Sequence, residues 1–177
     1  MIEKILFSTN CQKILFFLIQ NPDKVYFDRE ISKLADISRA GTNFALRELA
    51  KEGLISREKR GRMYFYNAQS GNILIKYLKI LQSIVLLLPL VEKLKKISIK
   101  IVLYGSAAKG ENIEESDVDI FILSRDPDGV KEIIFKDKLR KKIQPSLYTP
   151  NDLMKSKKDN PVFHAEVEKG ILLWEEK

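Results

Sequence analysis

The chain has 177 residues, 45% hydrophobic and 31% charged, a balance that excludes a disordered or fibrous protein and allows one domain or two small ones. Its formal charge of +7 is uneven: residues 1–69 carry 12 basic and 8 acidic side chains, residues 70–100 carry 6 and 1, and residues 101–177 carry 13 and 15. A polyanion is therefore expected on the first part of the chain, and a single cysteine, Cys11, excludes an internal disulfide framework.

Glu3 and Lys4 interrupt the first residues, so no cleavable signal pattern is present. The longest apolar run, "ILQSIVLLLPLV" at 80–91, is shorter than the roughly 20 residues a bilayer requires. A cytoplasmic protein with no membrane partner is the expectation.

In chain order, Ser8-Thr9-Asn10 caps a helix whose stripe runs Ile14, Leu15, Leu18, Ile19 and stops at Asn21-Pro22. A second helix begins at Asp28, with Ile31 and Leu34 as its expected core face. Ser38 caps a third, "RAGTNFALRELAKEG", with Leu46 and Leu49 inward and Gly53 closing the end. Two short β-type runs around Lys59-Arg60-Gly61-Arg62 follow, a hairpin signal. Residues 70–97 read as one long helix, apolar nearly all round between Leu78 and Leu90 and therefore covered on several sides, with Pro89 expected to kink it. Beyond it strands and helices alternate: "IKIVLY", a turn and helix from Gly105, "DVDIFIL", a helix over 127–142, "IQPSLY", short helices near 151–158 and 161–169, and a final "ILLWE". The fold class expected is α+β, with one domain over 1–69, a linking helix over 70–97 and an α/β domain with a small mixed sheet over 98–177.

Three helices followed by a basic hairpin resemble a winged helix-turn-helix. That resemblance makes 38–51 a recognition helix carrying Arg39, Asn43, Phe44 and Arg47 outward. Arg and Asn can pair with base edges, and Arg57, Lys59, Arg60 and Arg62 on the hairpin can meet phosphate. Two readings stand at this point: a DNA-binding domain, or a protein-docking module for which Phe44 would be an anchor. Pairing of the 70–97 helix with its copy would give the homodimer that paired DNA half-sites require.

The stretch "VLYGSAAKGENIEESDVDIFIL", residues 102–123, poses a physical problem. Asp117 and Asp119, two apart on a strand, project from one face and repel each other, and oxygen ligands of this kind suit Mg²⁺. Gly105 lets a ligand approach the backbone, and Ser106 offers a hydroxyl and an amide to phosphate. The spacing resembles the signature of the DNA polymerase β-like nucleotidyltransferase superfamily, G-S-x₃-G-x₅-S-D-x-D, in its minimal, kanamycin-nucleotidyltransferase-like branch. Gly105, Ser106, Gly110, Ser116, Asp117 and Asp119 occupy its fixed positions.

By that resemblance, Gly105, Ser106, Lys109 and Ser116 bind a nucleoside triphosphate, while Asp117 and Asp119 are catalytic and ligate Mg²⁺ or Mn²⁺. The product would be an acceptor hydroxyl carrying a nucleotidyl group. A third carboxylate expected on the next strand is absent, and Gln144 is its counterpart; Glu111, Glu114, Glu115 and Glu166 are the other acids near in sequence or later in the chain. The fusion with a helix-turn-helix resembles a group of predicted nucleotidyltransferases, some of whose relatives are antitoxins that modify a HEPN-domain protein. Three functions remain open: an enzyme, a nucleotide-responsive DNA-binding regulator, and an antitoxin-like partner-modifying protein. His164 and Trp174 read as structural.

Overall fold

The structure, a computed structural model, describes residues 2–176, apart from the side chains of residues 3, 4, 157 and 158. The chain divides into two compact units, residues 1–82 and 83–177. The boundary falls inside a single helix.

The first unit contains α1 (Ile2–Leu6), α2 (Asn10–Gln20), β1 (Tyr26–Phe27), α3 (Asp28–Leu34), α4 (Arg39–Lys51), β2 (Ile55–Arg60), β3 (Met63–Ala68) and the start of α5 (Ile73–Leu94). Local chemistry sets the helix ends. Thr9 and Gln12 form a reciprocal capping box, with Gln12 N–H donating to Thr9 Oγ1 at 3.2 Å and Thr9 N–H donating to Gln12 Oε1 at 3.1 Å. Ser38 Oγ accepts from Gly41 N–H, and Gly53, at φ +67°, turns the chain out of α4 in the left-handed conformation that glycine tolerates. Apolar residues at helical spacing then meet in one core, among them Ile14, Leu18, Ile31, Leu46 and Ile55.

Leu34 departs from expectation: it is 58% exposed rather than in the core. Helix α3 has only seven residues, and Asp36 turns the chain with a positive φ of 52°. Ala35 and Ile37, brought round by that turn, pack on the core in its place. The hairpin forms where expected, pairing Ile55 with Ala68 through to Arg60 with Met63. A two-residue strand adds to it, giving the order β1-β3-β2; so short a strand carries no readable alternation.

The second unit continues α5 and adds β4 (Ser98–Leu103), α6 (Gly105–Lys109), β5 (Val118–Ser124), α7 (Pro127–Phe135), β6 (Ile143–Tyr148), α8 (Pro150–Asp159), α9 (Pro161–Glu168) and β7 (Ile171–Glu175). The sheet order is β6-β5-β4-β7, antiparallel except for the parallel β5–β6 pair. Period-two alternation assigns its faces. Ile101, Leu103, Ile120 and Ile122 pack with Leu87, Leu90 and Leu94 of α5 and with Val130 and Ile134 of α7. Val102, Tyr104, Phe121 and Leu123 form the other face with Leu153, Phe163 and Val167.

Two helical expectations need correction. The helix expected over 127–142 ends at Phe135, because Asp137 turns inward to accept from Lys93 Nζ at 2.6 Å and from Leu139 N–H at 3.0 Å. The helix expected over 70–97 is Ile73–Leu94 and runs through Pro89. Taken whole, that helix is long and apolar enough to cross a bilayer by length and composition, unlike the shorter run considered alone. Between Leu78 and Leu90 it is covered on several sides, as expected, though not all round. Ile75 lies in the first core and Leu87, Leu90 and Leu94 in the second, while Leu74, Tyr77 and Leu86 are exposed.

Candidate active site

The end of β4 and the start of β5 build the site. Tyr104 N–H donates to the Asp119 carbonyl at 3.1 Å, fixing the two strands where the chain turns into α6. Gly105 has φ +68°, and a Cβ on it would lie 2.2 Å from Asp119 Oδ2. The glycine is thus required twice, for its backbone and for the space the carboxylate fills. After α6, Gly110 reverses the chain at φ +69°, and Ser116 Oγ accepts from Ile113 N–H at 2.9 Å. That bond closes the loop immediately before the acids.

Asp117 is exposed and Asp119 half-buried. Burial holds the Asp119 carboxyl above the ordinary carboxylate value, and the charges of Asp117 and Glu166 push it further in the same direction. Partly desolvated carboxylates facing like charge favour a cation. Among the described residues no group of three or more His, Cys, Asp or Glu side chains could hold a metal. A pair of aspartates nevertheless fits Mg²⁺, which is commonly held by one or two carboxylates and completes its shell with water and substrate phosphates.

Strand β6 lies parallel to β5 with Gln144 opposite Asp119. The position where the resemblance expects a third acid therefore holds an exposed amide, which can accept or donate a hydrogen bond but takes no proton. Two residues on, Ser146 Oγ and Tyr104 OH are 2.8 Å apart.

Sequence reasoning named Glu166 among several acids without a place for it. The structure gives it one: Lys109 Nζ donates to Glu166 Oε1 at 2.9 Å, across a groove of about 420 Å³ lined by Tyr104, Gly105, Ala165 and Lys169 as well. The bond to Glu166 holds the Lys109 ammonium above its usual value. No spacing signal links residues 57 positions apart in sequence. His164 is buried, with Nε2 2.9 Å from Ser156 Oγ, tying α9 to α8. Trp174 packs on the core and its Nε1 donates to Ser98 carbonyl.

In the first unit α4 carries Arg39, Phe44 and Arg47 exposed, while Asn43 is half-buried and its Nδ2 donates to the Arg39 carbonyl at 3.1 Å. On the hairpin, Arg57 lies 3.8 Å over the Tyr64 ring. Arg60 pairs with Glu58 at 2.7 Å, and Arg62 is exposed beside Gly61 at the tip.

Residues 85–167 match a family model described as a nucleotidyltransferase domain. That span holds Gly105, Ser106, Lys109, Asp117, Asp119, Gln144 and Glu166, and the match supports a nucleotidyl-transfer function. Among solved structures, a candidate nucleotidyltransferase from Sulfolobus solfataricus is similar at 16% identity over 56% of this chain and 86% of its own, with a TM-score of 0.38. No curated protein matches the chain.

Proposed function

We propose that the second unit transfers a nucleotidyl group from a nucleoside triphosphate to an acceptor hydroxyl, using a divalent cation held by Asp117 and Asp119. The observation that carries this reading is the contact between Gly105 and Asp119, because it puts a side-chain-free backbone turn directly against a carboxylate in an environment that disfavours its charge. A phosphate-bearing ligand needs the first and its cation needs the second. When bound, Mg²⁺ or Mn²⁺ would neutralise charge on the α-phosphate and the leaving group.

The chain's own residues position the reactants. Ser106 offers its hydroxyl and amide to the phosphates beside Gly105, and Ser116 keeps the loop closed so that Asp117 stays at the mouth. Lys109 adds a positive charge to the triphosphate once Glu166 yields it. The acceptor oxygen bonds to the α-phosphorus as the bond from that phosphorus to the bridging oxygen breaks, and pyrophosphate leaves with the bridging electrons. The hydroxyl proton passes to water, since Gln144 does not accept it.

The first unit is proposed to be a winged helix that binds DNA through Arg39, Asn43 and Arg47 on α4, with Arg60 and Arg62 at the hairpin tip meeting phosphate. Exposed Leu74 and Tyr77 on α5 suit pairing with a second copy. A second reading is favoured by one observation, Gln144 opposite Asp119. Under it the transferase site binds nucleotide without turnover, and the nucleotide acts as effector of a DNA-binding regulator.

Incubation with each α-³²P nucleoside triphosphate and Mg²⁺ or Mn²⁺ in cell lysate tests both. Label on a protein or nucleic acid that disappears in Asp117→Ala and Asp119→Ala establishes the transferase. Nucleotide binding by calorimetry with no label transferred under any condition establishes the regulator.

A further inference from the structure

The second unit carries a basic segment that the transferase site does not use. Residues 136–142, "KDKLRKK", bear five cations and one acid, in a region, 101–177, whose overall charge is −2. The fold offsets the acid's charge. Asp137 turns inward onto Lys93, and its side chain is only 9% exposed. Leu139 packs into the core, so the turn is pinned from beneath at two points. Lys138, Arg140 and Lys141 are left exposed, and among the described residues none of them is paired with a carboxylate. Lys136 pairs with Glu132, and Lys142 Nζ donates to the Glu114 carbonyl at 3.0 Å.

An aromatic ring stands among these cations. Phe135, 69% exposed at the end of α7, has the Arg140 guanidinium 5.4 Å from its centroid. Together with Lys136, Asp137, Lys138 and Lys141 they line an open hollow of about 470 Å³, in which the Asp137 charge is offset by its bond to Lys93. An exposed phenyl ring ringed by cations gains nothing from folding, but it offers one face for stacking and several charges for phosphate. An acidic peptide would use the charges and leave the ring idle.

The segment leads into β6 from the α7 face of the sheet, whereas Asp119 alternates onto the face of Phe121 and Phe163. Val118 N–H donates to the Lys142 carbonyl at 2.7 Å, and the next parallel pair sets Gln144 against Asp119. We infer that this hollow binds a single-stranded nucleic acid, a base stacking on Phe135 and phosphates meeting Lys138, Arg140 and Lys141. The binding site does not rest on the transferase reading.

The test uses the full chain with Arg39→Ala, Arg47→Ala, Arg60→Ala and Arg62→Ala, which removes the cations proposed to meet nucleic acid on α4 and the hairpin tip. Binding of fluorescein-labelled ten-nucleotide RNA and DNA single strands, and of a duplex, is followed by polarisation across a salt series. Lys138→Ala/Arg140→Ala/Lys141→Ala should weaken single-strand binding about 10- to 100-fold and reduce the salt slope by about 2, since each phosphate contact contributes about 0.7. Phe135→Ala should weaken it about 5- to 100-fold at unchanged slope. All these side chains are exposed, so thermal melts should coincide with the parent's. RNA preference, DNA preference or neither supports the site. Unchanged affinity in the triple variant overturns it, as does a parent that binds no single strand, or equal binding of duplex or of polyglutamate. If the hollow binds as stated while the label experiment finds no transfer, the transferase reading fails and the binding site stands.

Discussion

Both units gather like charges, and they do so in opposite ways. On α4 and the hairpin, Arg39, Arg47 and Arg62 project into solvent, where repulsion is screened and each charge is hydrated at little cost. At the head of β5, Asp119 is half-buried against a backbone turn, with Asp117 and Glu166 close enough to raise its carboxyl above the ordinary value. Exposed cations are compatible with many partners or none. Carboxylates gathered under partial burial carry a cost that a bound cation relieves, so the second cluster says more about its ligand than the first.

That contrast is most severely tested at Gly105. Gly105→Ala puts a methyl group 2.2 Å from Asp119 Oδ2 and forces a left-handed φ of 68° on a residue with a Cβ. The backbone penalty alone is about 1–2 kcal/mol, and displacement of the carboxylate adds to it. The expected result is a lower melting temperature together with loss of nucleotide binding in calorimetry. Unchanged nucleotide binding would mean that the turn is structural only. Gly53, just after α4, and Gly61 at the hairpin tip also have positive φ, but nothing lies within 4 Å of a Cβ there, so only the backbone penalty is expected at either.

The exposed cluster should respond differently. Arg39→Ala with Arg47→Ala should leave the fold intact and weaken DNA binding by about 10- to 100-fold, with a shallower salt dependence, in polarisation titrations. Equal affinity before and after would assign α4 to protein docking through Phe44, which is 67% exposed.

How far the sequence announced these features follows from the range of the forces involved. Helix caps at Thr9 and Ser38 and the hairpin turn at Gly61 rest on local chemistry and were legible, whereas the contact of Gly105 with Asp119, set by one strand register, was not. Leu34 was misread because three-residue spacing places it over Ile31 only if the helix continues, and Asp36 ends it. The extent of α7 was misread for a related reason: nothing local in 136–142 stops a helix, and the bond between Lys93 and Asp137, 44 positions apart, turns the chain there. The Lys109–Glu166 pair depends on α9 folding back over α6, which no periodicity encodes.

That pair offers a smaller test. Lys109 and Glu166 are both about half exposed, so their bond is readily opened by a competing anion. Glu166→Gln keeps the shape and removes the competitor and its repulsion of phosphate. Metal-free nucleoside triphosphate should then bind a few-fold more tightly, roughly two- to fivefold, and the gain should vanish when Lys109→Met is added. Weaker binding in Glu166→Gln would show instead that the glutamate holds Lys109 in position for the phosphates.

The smallest effect isolates the cost of the acidic cluster itself. Because the folded protein holds the Asp119 carboxyl above its unfolded value of about 3.8, folding favours the protonated form. Its ionisation therefore costs stability, and the cost grows as pH rises from the unfolded value through the folded one. Asp119→Asn keeps the shape and never ionises. It should stabilise the metal-free protein by a few tenths of a kcal/mol at neutral pH, after allowance for solvent screening, while abolishing label transfer. The gain should shrink to nothing below about pH 3, where the aspartate is protonated in both states. Asp137 has the opposite sign: burial raises it, but hydrogen bonds from Lys93 and the turn backbone bring it below the ordinary value, so its contribution is lost on acidification. Asp137 is present in both proteins, so the difference between their denaturant midpoints across pH reports Asp119 together with its repulsion by Asp117 and Glu166. A variant less stable than the parent at neutral pH would mean that the carboxylate is satisfied where it stands, and the argument for a bound cation would lose its physical basis.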